Sequence, residues 1–243
     1  MHNKDKLLNR LYGAVELYRE LGFEYLPLKK ENVEGFLKRS AASEVYTAPQ
    51  LKEAAAVSPG NKTDGLKSLR DRIGDCNSCK LSEKRNNIVF GEGSSSADIM
   101  FIGEGPGREE DIQGRPFVGD AGKLLTNLIV KLGLKREDVY IANIVKCRPP
   151  SNRNPEDDEV ASCRPFLEEQ IDMIKPKVIV CLGRIAAQVL LKVKTPISRI
   201  RGNFFQYNDI SVMPTFHPAY LLRNPKDKWL TWDDMQKVLK KLG

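Results

Sequence analysis

The sequence predicts an α/β protein with three layers, in which helices cover both faces of a central four-stranded, mainly parallel sheet. Short apolar runs alternate with segments of helical period, which is typical of a parallel sheet buried on both faces. A glycine-rich stretch, residues 103–122, also lies between an apolar run and a helical segment. Since open α/β sheets bind ligands at the carboxyl ends of strands, this stretch predicts a binding site.

The predicted elements follow from these periods. The four apolar runs predicted to be strands span residues 98–102, 139–145, 177–182 and 211–216. The predicted helices span residues 66–73, 122–132, 156–174, 184–192 and 227–241. Together they form one predicted domain, residues 66–243.

The first 65 residues are predicted to form a separate part of the chain. Residues 1–40 have amphipathic helical periods and are interpreted as a helical appendage. Residues 41–65 mix Ala, Ser, Pro, Gly and charge without a period, and residues 58–61 carry a turn signal, so this segment is interpreted as a linker. Two alternatives stay open for the appendage: docking to a partner protein, or packing on the main domain.

Composition and charge favour a soluble protein that binds a polyanion. The chain has 243 residues, of which 41% are hydrophobic, and a net charge of +7. Residues 184–201 contain five basic residues and no acid, which we interpret as a phosphate-facing patch; a solvated surface is the alternative. Neither an apolar signal core near the first residue nor a run of about 20 apolar residues is present. We therefore expect a cytoplasmic protein without a membrane partner.

Five cysteines in such a compartment favour metal ligation over disulfides. Cys76 and Cys79 form a C-x2-C pair, and Cys147 and Cys163 form a second pair that encloses a proline-rich loop. If the pairs meet in space they make a four-thiolate site, and the spacing alone allows either structural zinc or a [4Fe–4S] cluster. Cys181, inside a predicted strand, is interpreted as a core residue.

Three motifs, together with the four cysteines, resemble one protein family. The motifs are GEGPGREEDIQGRPFVGDAGKLL at residues 103–125, NIVKCRPP at residues 143–150 and HPAYLLR at residues 217–223. They are similar to those of the family 4, iron–sulfur uracil-DNA glycosylases, over residues 66–241. The resemblance implies a monomeric repair enzyme that flips uracil out of single- or double-stranded DNA and hydrolyses its N-glycosidic bond, leaving an abasic site. It also implies a structural [4Fe–4S] cluster on the four cysteines, and it makes a repair or replication protein the candidate partner of residues 1–40.

The resemblance assigns roles in the pocket to individual residues. His217 would donate a hydrogen bond to the charge that develops on uracil O2, Asn143 would read the uracil edge, and Phe117 would stack on the base. Glu104 would brace the loop, and Asn152 would position water. The alternatives are a structural histidine, a turn-forming asparagine and a core phenylalanine.

Two glycines depart from the wider superfamily. Gly105 stands where that superfamily has its catalytic aspartate, so only its backbone N–H is left to face the base. Gly107 stands in place of the tyrosine that excludes thymine. The neighbouring carboxylates, Glu109, Glu110 and Asp111, are interpreted as solvated residues at a loop-to-helix turn.

The DNA contacts are likewise assigned by resemblance and by charge. Leu221 would fill the vacated base stack, with an ordinary apolar helix residue as the alternative. Arg223 would contact phosphate, and Arg199 and Arg201 belong to the basic patch. Other readings of the whole chain are a non-catalytic nucleic-acid-binding module associated with a DNA polymerase, a nucleotide-binding Rossmann enzyme, and an electron carrier.

Overall fold

The computed structural model describes residues 59–243 of the chain. Its six strands are β1 (Glu92–Gly93), β2 (Ile99–Gly103), β3 (Tyr140–Asn143), β4 (Val178–Leu182), β5 (Phe205–Tyr207) and β6 (Ile210–Thr215). They form one sheet in the order β1-β3-β2-β4-β6-β5. The predicted appendage, residues 1–40, and most of the predicted linker lie outside the described residues.

The four predicted strands are the four inner strands, and they are parallel to one another. The prediction of only four strands was wrong at both edges, where β1 and β5 pair antiparallel with their neighbours. Both edge strands are very short, with two and three residues, and neither is fully buried. Such strands carry too few residues to produce an apolar period in the sequence.

Helices cover both faces of the sheet, as predicted. They are α1 (Pro59–Ile73), α2 (Arg108–Gln113), α3 (Asp120–Lys131), α4 (Asp157–Ile174), α5 (Arg184–Leu191), α6 (Ile197–Ile200), α7 (Pro218–Arg223) and α8 (Lys228–Leu242). The buried residues of α1, α4 and α5 pack on one face. Those of α3 and α8 pack on the other. Within residues 59–243, no helix is both long enough and apolar enough to span a bilayer.

Alternation along the inner strands divides the core between the two faces. In β2, Met100 and Ile102 contact the face covered by α1, α4 and α5, whereas Ile99 and Phe101 contact the opposite face. All five residues of this strand are buried. Strands buried on both sides have continuous apolar sequences, which is why the sequence revealed them.

Helix α1 begins seven residues earlier than predicted, inside the segment interpreted as a linker. Its first residue is Pro59, although residues 58–61 carry a turn signal in the sequence. Proline is tolerated at the first position of a helix because the missing N–H has no intrahelical acceptor there. The prediction of a turn was therefore wrong, because the proline behind the turn signal is instead the first residue of the helix.

The sheet topology brings the predicted motifs to one edge. From β2 the chain crosses to β3 on one side, and it then returns to β4 on the other side of β2. Such a reversal opens a crevice at the carboxyl ends of the strands. After β3 ends, the N–H of Ile144 donates to the carbonyl of Gly103 (2.9 Å) and the N–H of Val145 donates to that of Glu104 (3.2 Å). The loops that follow β2 and β3 are thereby held side by side.

Asp111 is buried, so the prediction that it is solvated was wrong. Its carboxylate accepts hydrogen bonds from the backbone N–H of Asn86 (2.8 Å), from the Asn86 side chain (2.5 Å) and from the backbone N–H of Asn87 (3.3 Å). These contacts join α2 to the segment before β1. Asp111 is thus a structural link between distant parts of the chain.

Replacing Asp111 with Ala is expected to destabilise the fold by about 1–3 kcal/mol, because buried N–H groups lose their acceptor. Denaturant unfolding of the two proteins measures this difference. Glu109→Ala is the matched control, since Glu109 is an exposed carboxylate on the same helix and its loss should change stability by less than about 0.5 kcal/mol. Equal stability of the two variants would contradict the structural role of Asp111.

Candidate active site and cysteine cavity

Two candidate site residues meet above the end of β2. A Cβ atom placed on Gly103 would lie 2.4 Å from Asn143 Oδ1 and 2.5 Å from Phe117 Cζ. Both distances are shorter than any normal contact, so only glycine fits between these side chains. The amide of Asn143 and the ring of Phe117 therefore converge on one spot, as the predicted uracil pocket requires.

Asn143 is the last residue of β3 and is only 1% exposed. Its side-chain oxygen has no hydrogen-bond partner and is the one buried side-chain polar atom among residues 59–243 of which this is true. An unpaired buried acceptor costs about 1–3 kcal/mol. Such exceptions mark places where a ligand completes the hydrogen bonding.

Phe117 has a left-handed backbone conformation, with φ 51°. Its ring is buried and packs with the core residues on the α3 and α8 face of the sheet. The ring centroid also lies 5.7 Å from that of His217. Phe117 is therefore a core residue, as the alternative interpretation had it, and it also borders the candidate pocket; its stacking on the base stays a prediction.

Glu110 holds the loop that carries Phe117. One carboxylate oxygen accepts from the backbone N–H groups of Val118 (2.9 Å) and Gly119 (3.0 Å), and the other accepts from the N–H of Gly107 (3.1 Å). A side chain at position 107 would begin 2.7 Å from this carboxylate. The prediction that Glu110 is solvated was wrong, and a side chain at position 107 would have to displace its carboxylate.

His217 follows β6 and faces the same spot. Its Nδ1 accepts the backbone N–H of Ala219 (3.1 Å), so the proton of the neutral ring is on Nε2. Burial of the ring, and secondarily the charge of Arg223, lower the pKa of His217 from its usual 6.5 to about 4, against the opposing effect of Glu110. At neutral pH His217 is therefore a neutral hydrogen-bond donor.

Glu104 lies in a small polar network beside the crevice. Burial raises the pKa of its carboxyl, and the nearby charge of Arg184 partly offsets that effect. The Asn154 amide satisfies both neighbours when its nitrogen donates to Glu104 (3.3 Å) and its oxygen accepts from Arg184 (2.9 Å). The sequence analysis did not identify Asn154, which has no motif of its own beyond its place in the loop between two cysteines.

Comparison with known proteins identifies the family. The model of the Uracil DNA glycosylase superfamily matches residues 90–243. The chain belongs to this superfamily. It is 49% identical over 189 residues to the type-4 uracil-DNA glycosylase of Saccharolobus solfataricus, covering 74% of this chain and 88% of the relative. The type-4 uracil-DNA glycosylases of Sulfurisphaera tokodaii (45% identity; 72% and 84% covered) and Thermotoga maritima (46%; 71% and 92%) are similarly close. The resemblance to family 4 is thus confirmed.

Two site residues of this superfamily member stay predictions. Asn152, on the loop between the second pair of cysteines, is exposed, and its side-chain oxygen accepts from Nε of Arg148 (2.8 Å). Gly105 packs against that loop, since a Cβ on it would lie 3.6 Å from Cδ of Pro149. Neither the water-positioning role of Asn152 nor the base contact of Gly105 is tested by these contacts.

The DNA-contact predictions have mixed outcomes. Leu221 is only 4% exposed, which contradicts its assignment as a surface wedge and agrees with the alternative of an apolar helix residue. The next residue, Leu222, is 43% exposed. Arg223 and Arg199 are exposed, and their phosphate contacts stay predictions.

Arg201 does not belong to a phosphate-facing patch, so that prediction was wrong. Its guanidinium is paired with buried Asp234 and also donates to the carbonyl of Leu230 (2.7 Å). The same group lies 5.7 Å from the centroid of the Phe216 ring, directly before His217. Its side chain is only 14% exposed, so Arg201 supports the segment that carries His217.

The four predicted ligand cysteines line one cavity. All are free thiols; Cys147 and Cys163 are buried, and Cys76 and Cys79 are half-buried. Burial raises the pKa of Cys163 to about 11. Within residues 59–243, no three or more His, Cys, Asp or Glu side chains are arranged to hold a metal ion. Cys181 is buried in β4, as predicted.

Two basic residues that the sequence analysis missed surround this cavity. Arg85 donates to the carbonyl of Cys76 (2.6 Å) and approaches Cys147 Sγ at 3.5 Å. The backbone N–H of Lys146 donates to Cys163 Sγ (3.2 Å). Positive charge and N–H donors at sulfur stabilise thiolates, so the environment suits ligand cysteines.

The low pKa of His217 predicts an activity that persists in mild acid. At pH 5.5 the single-turnover rate with low DNA concentration should remain within about twofold of the rate at pH 7, whereas a histidine of ordinary pKa would be mostly protonated on Nδ1 and would lose the hydrogen bond from Ala219 that orients its ring. The chain has two histidines, so proton NMR can follow both, and His217→Asn assigns the resonance.

The lowered pKa of His217 also makes the stability of the fold depend on pH. An unfolded chain protonates His217 near pH 6.5, and the folded chain does so only near pH 4. The unfolded state therefore binds more protons in this range, and stability is lost as the pH falls through it. An imidazole titration near pH 6.5 in the folded protein would contradict both expectations.

Proposed function

We propose that the chain releases uracil from DNA by hydrolysing the N-glycosidic bond, and that it acts in base-excision repair. The observation that carries this proposal is the unpaired, buried Oδ1 of Asn143 beside the ring of Phe117. A flipped base is a flat ring with hydrogen-bonding groups along one edge, and in uracil that edge carries an N–H donor next to a carbonyl acceptor. Uracil fits both features, since its N3–H would donate to Oδ1 and its O4 would accept from the Asn143 amide nitrogen.

Phe117 and His217 supply the rest of the base site. Base–aromatic stacking contributes about 1–3 kcal/mol per base. In the reaction the C1′–N1 bond breaks, and both electrons go to uracil while the sugar gains positive charge. Neutral His217 donates from Nε2–H to uracil O2, where the negative charge accumulates.

Water completes the hydrolysis. Its oxygen bonds to C1′ on the face opposite the departing uracil, and its proton reaches the uracil anion through solvent. We assign the positioning of this water to Asn152 and the bracing of the adjacent loop to Glu104, with the Gly105 N–H facing the base. The network of Glu104 with Asn154 and Arg184 supports the bracing role.

We also propose that Cys76, Cys79, Cys147 and Cys163 hold a [4Fe–4S] cluster with a structural role. Their common cavity, and the donors from Arg85 and Lys146, support this assignment. The cluster would cross-link the loop after Cys147 to α4 and to the segment after α1. That loop packs against Gly105 in the candidate site.

The remaining assignments concern partners. We propose single- or double-stranded DNA as the substrate, a monomer as the active form and the cytoplasm as the compartment. Exposed Arg199 and Arg223 supply candidate phosphate contacts. The alternative function is a non-catalytic nucleic-acid-binding module. Binding to the DNA backbone alone would not require a buried, unpaired acceptor inside a pocket, so we do not favour this alternative.

Asn143→Asp is expected to reduce uracil release by several powers of ten, because a carboxylate facing O4 leaves that acceptor without a donor. Single-turnover excision from a uracil-containing oligonucleotide, followed by alkali cleavage, measures the loss. A cytosine oligonucleotide tests for a trace of new activity, since the exocyclic amine of cytosine suits the added acceptor.

The matched control for this variant is Asn208→Asp, which makes the same change on an exposed turn between β5 and β6. It should retain the wild-type rate. Uracil release by Asn143→Asp at close to that rate would remove Asn143 from base reading. A wild-type protein that binds uracil-containing DNA but releases no uracil would support the binding-module alternative.

The cluster proposal predicts about four irons per chain and a yellow-brown colour in the purified protein. Cys79→Ala should lose both and lower the stability of the fold. Cys181→Ala removes a buried thiol from β4, outside the cavity, and should retain them. Metal analysis and visible absorption measure the outcome, and a colourless wild type with one zinc per chain would overturn the iron assignment.

A further inference from the structure

The ammonium group of Lys146 is enclosed in the protein core. The residue is only 2% exposed and belongs to the largest fully buried side chains. A buried cation costs several kcal/mol unless neighbouring groups compensate it, so its retention calls for a physical reason. Lys146 has not entered the catalytic scheme described above.

Two acceptors hold this ammonium, and both are neutral. Nζ donates to the backbone carbonyl of Asn143 (3.0 Å) and to Oε1 of Gln170 (2.6 Å). On its other side, the backbone N–H of Lys146 donates to Cys163 Sγ (3.2 Å). Lys146 therefore contacts the proposed base reader and one of the proposed cluster ligands at once.

The orientation of Gln170 is set by its other contacts. Its amide nitrogen donates to the carbonyl of Phe90 (3.0 Å) and to the hydroxyl of Tyr140 (3.1 Å). The amide oxygen must then face Lys146, which supplies the donor that it needs. The network is complete only with a donor at position 146, and an apolar side chain there would leave two buried acceptors unpaired.

We propose that Lys146 is a positioning residue that couples the four-cysteine site to base recognition by holding the carbonyl of Asn143. This inference rests on the proposed function. Asn143 must present its amide in one orientation, because the reversed amide would match cytosine instead of uracil. The position of the Asn143 backbone fixes the position of its side-chain amide. Lys146 holds this backbone by donating to its carbonyl from the side of the cysteine cavity.

The contacts of Lys146 show how a change at the cysteine site would reach Asn143. The backbone N–H of Lys146 donates to Cys163 Sγ, and the next residue in the chain is Cys147. Movement of either cysteine shifts the main chain of Lys146, and with it the ammonium that holds Asn143. Loss of the metal centre is therefore expected to weaken uracil recognition before it weakens contacts with the DNA backbone.

The test uses Lys146→Met, which keeps the length of the side chain and removes the donor and the charge. Tyr140→Phe is the matched control, because it alters the same buried network without touching Lys146. Three quantities are measured on the full chain: inhibition by free uracil, affinity for DNA with an abasic site, and iron content. A side-chain amide NMR spectrum reports the environment of Asn143, with Asn143→Asp as the assignment.

For Lys146→Met we expect inhibition by uracil to weaken about ten- to a hundredfold, as for a lost hydrogen bond to a charged group. Affinity for abasic DNA should change less than about twofold, iron should be retained, and the Asn143 amide signal should shift. Tyr140→Phe should leave uracil inhibition unchanged. Lys146→Gln, which retains a neutral donor, should recover part of the loss.

Several outcomes would overturn the proposal. Wild-type uracil inhibition in Lys146→Met would show that Lys146 does not position Asn143. An equal loss of uracil and abasic-DNA binding, or loss of iron in both Lys146→Met and Lys146→Gln, would make Lys146 a support of the fold or of the cysteine site alone. If the wild type itself neither releases nor binds uracil, the proposed function fails, and that result is distinct from all of these.

Discussion

At the end of β2, the missing side chain of Gly103 creates the space on which the candidate site depends. A Cβ atom at position 103 would lie 2.4 Å from the side-chain oxygen of Asn143 and 2.5 Å from the ring of Phe117, well inside van der Waals contact. Any other residue would separate the proposed base reader, Asn143, from the proposed stacking ring, Phe117. The parallel register of β2 and β3 places Gly103 directly beside Asn143.

Polar contacts behind the pocket hold each of its walls. Glu110 accepts three backbone N–H groups and fixes the loop that carries Phe117 in a left-handed conformation. On the opposite side, Thr215 at the end of β6 donates to Asp234 (2.7 Å), which also pairs with Arg201. These buried groups do not face the base. They restrict the conformations of the residues proposed to contact the base, which is how a site is preorganised.

The cysteine cavity and the base pocket are neighbours through the chain segment that follows β3. This segment runs from Asn143 to Cys147, and its first backbone groups pair with the loop after β2. A cross-link placed there restrains both sides of the crevice together. A structural metal centre is thus useful to this fold even when it takes no part in bond breaking.

Local patterns in the sequence were sufficient to predict the inner strands and the helices on both faces, because burial on two sides produces apolar runs. The short spacing of Cys76 and Cys79 marked them as a candidate ligand pair, and the family resemblance added Cys147 and Cys163. The motifs also located Asn143, Phe117 and His217. What only the tertiary structure decided was which charged residues have partners inside the fold. Arg201 and Glu110 looked like solvated or DNA-facing charges, yet their partners are distant in sequence or are backbone groups, as with Asp234 at 33 residues from Arg201. The sequence around a charged residue does not reveal such partners, because pairing depends on how the sheet and its loops bring distant residues together.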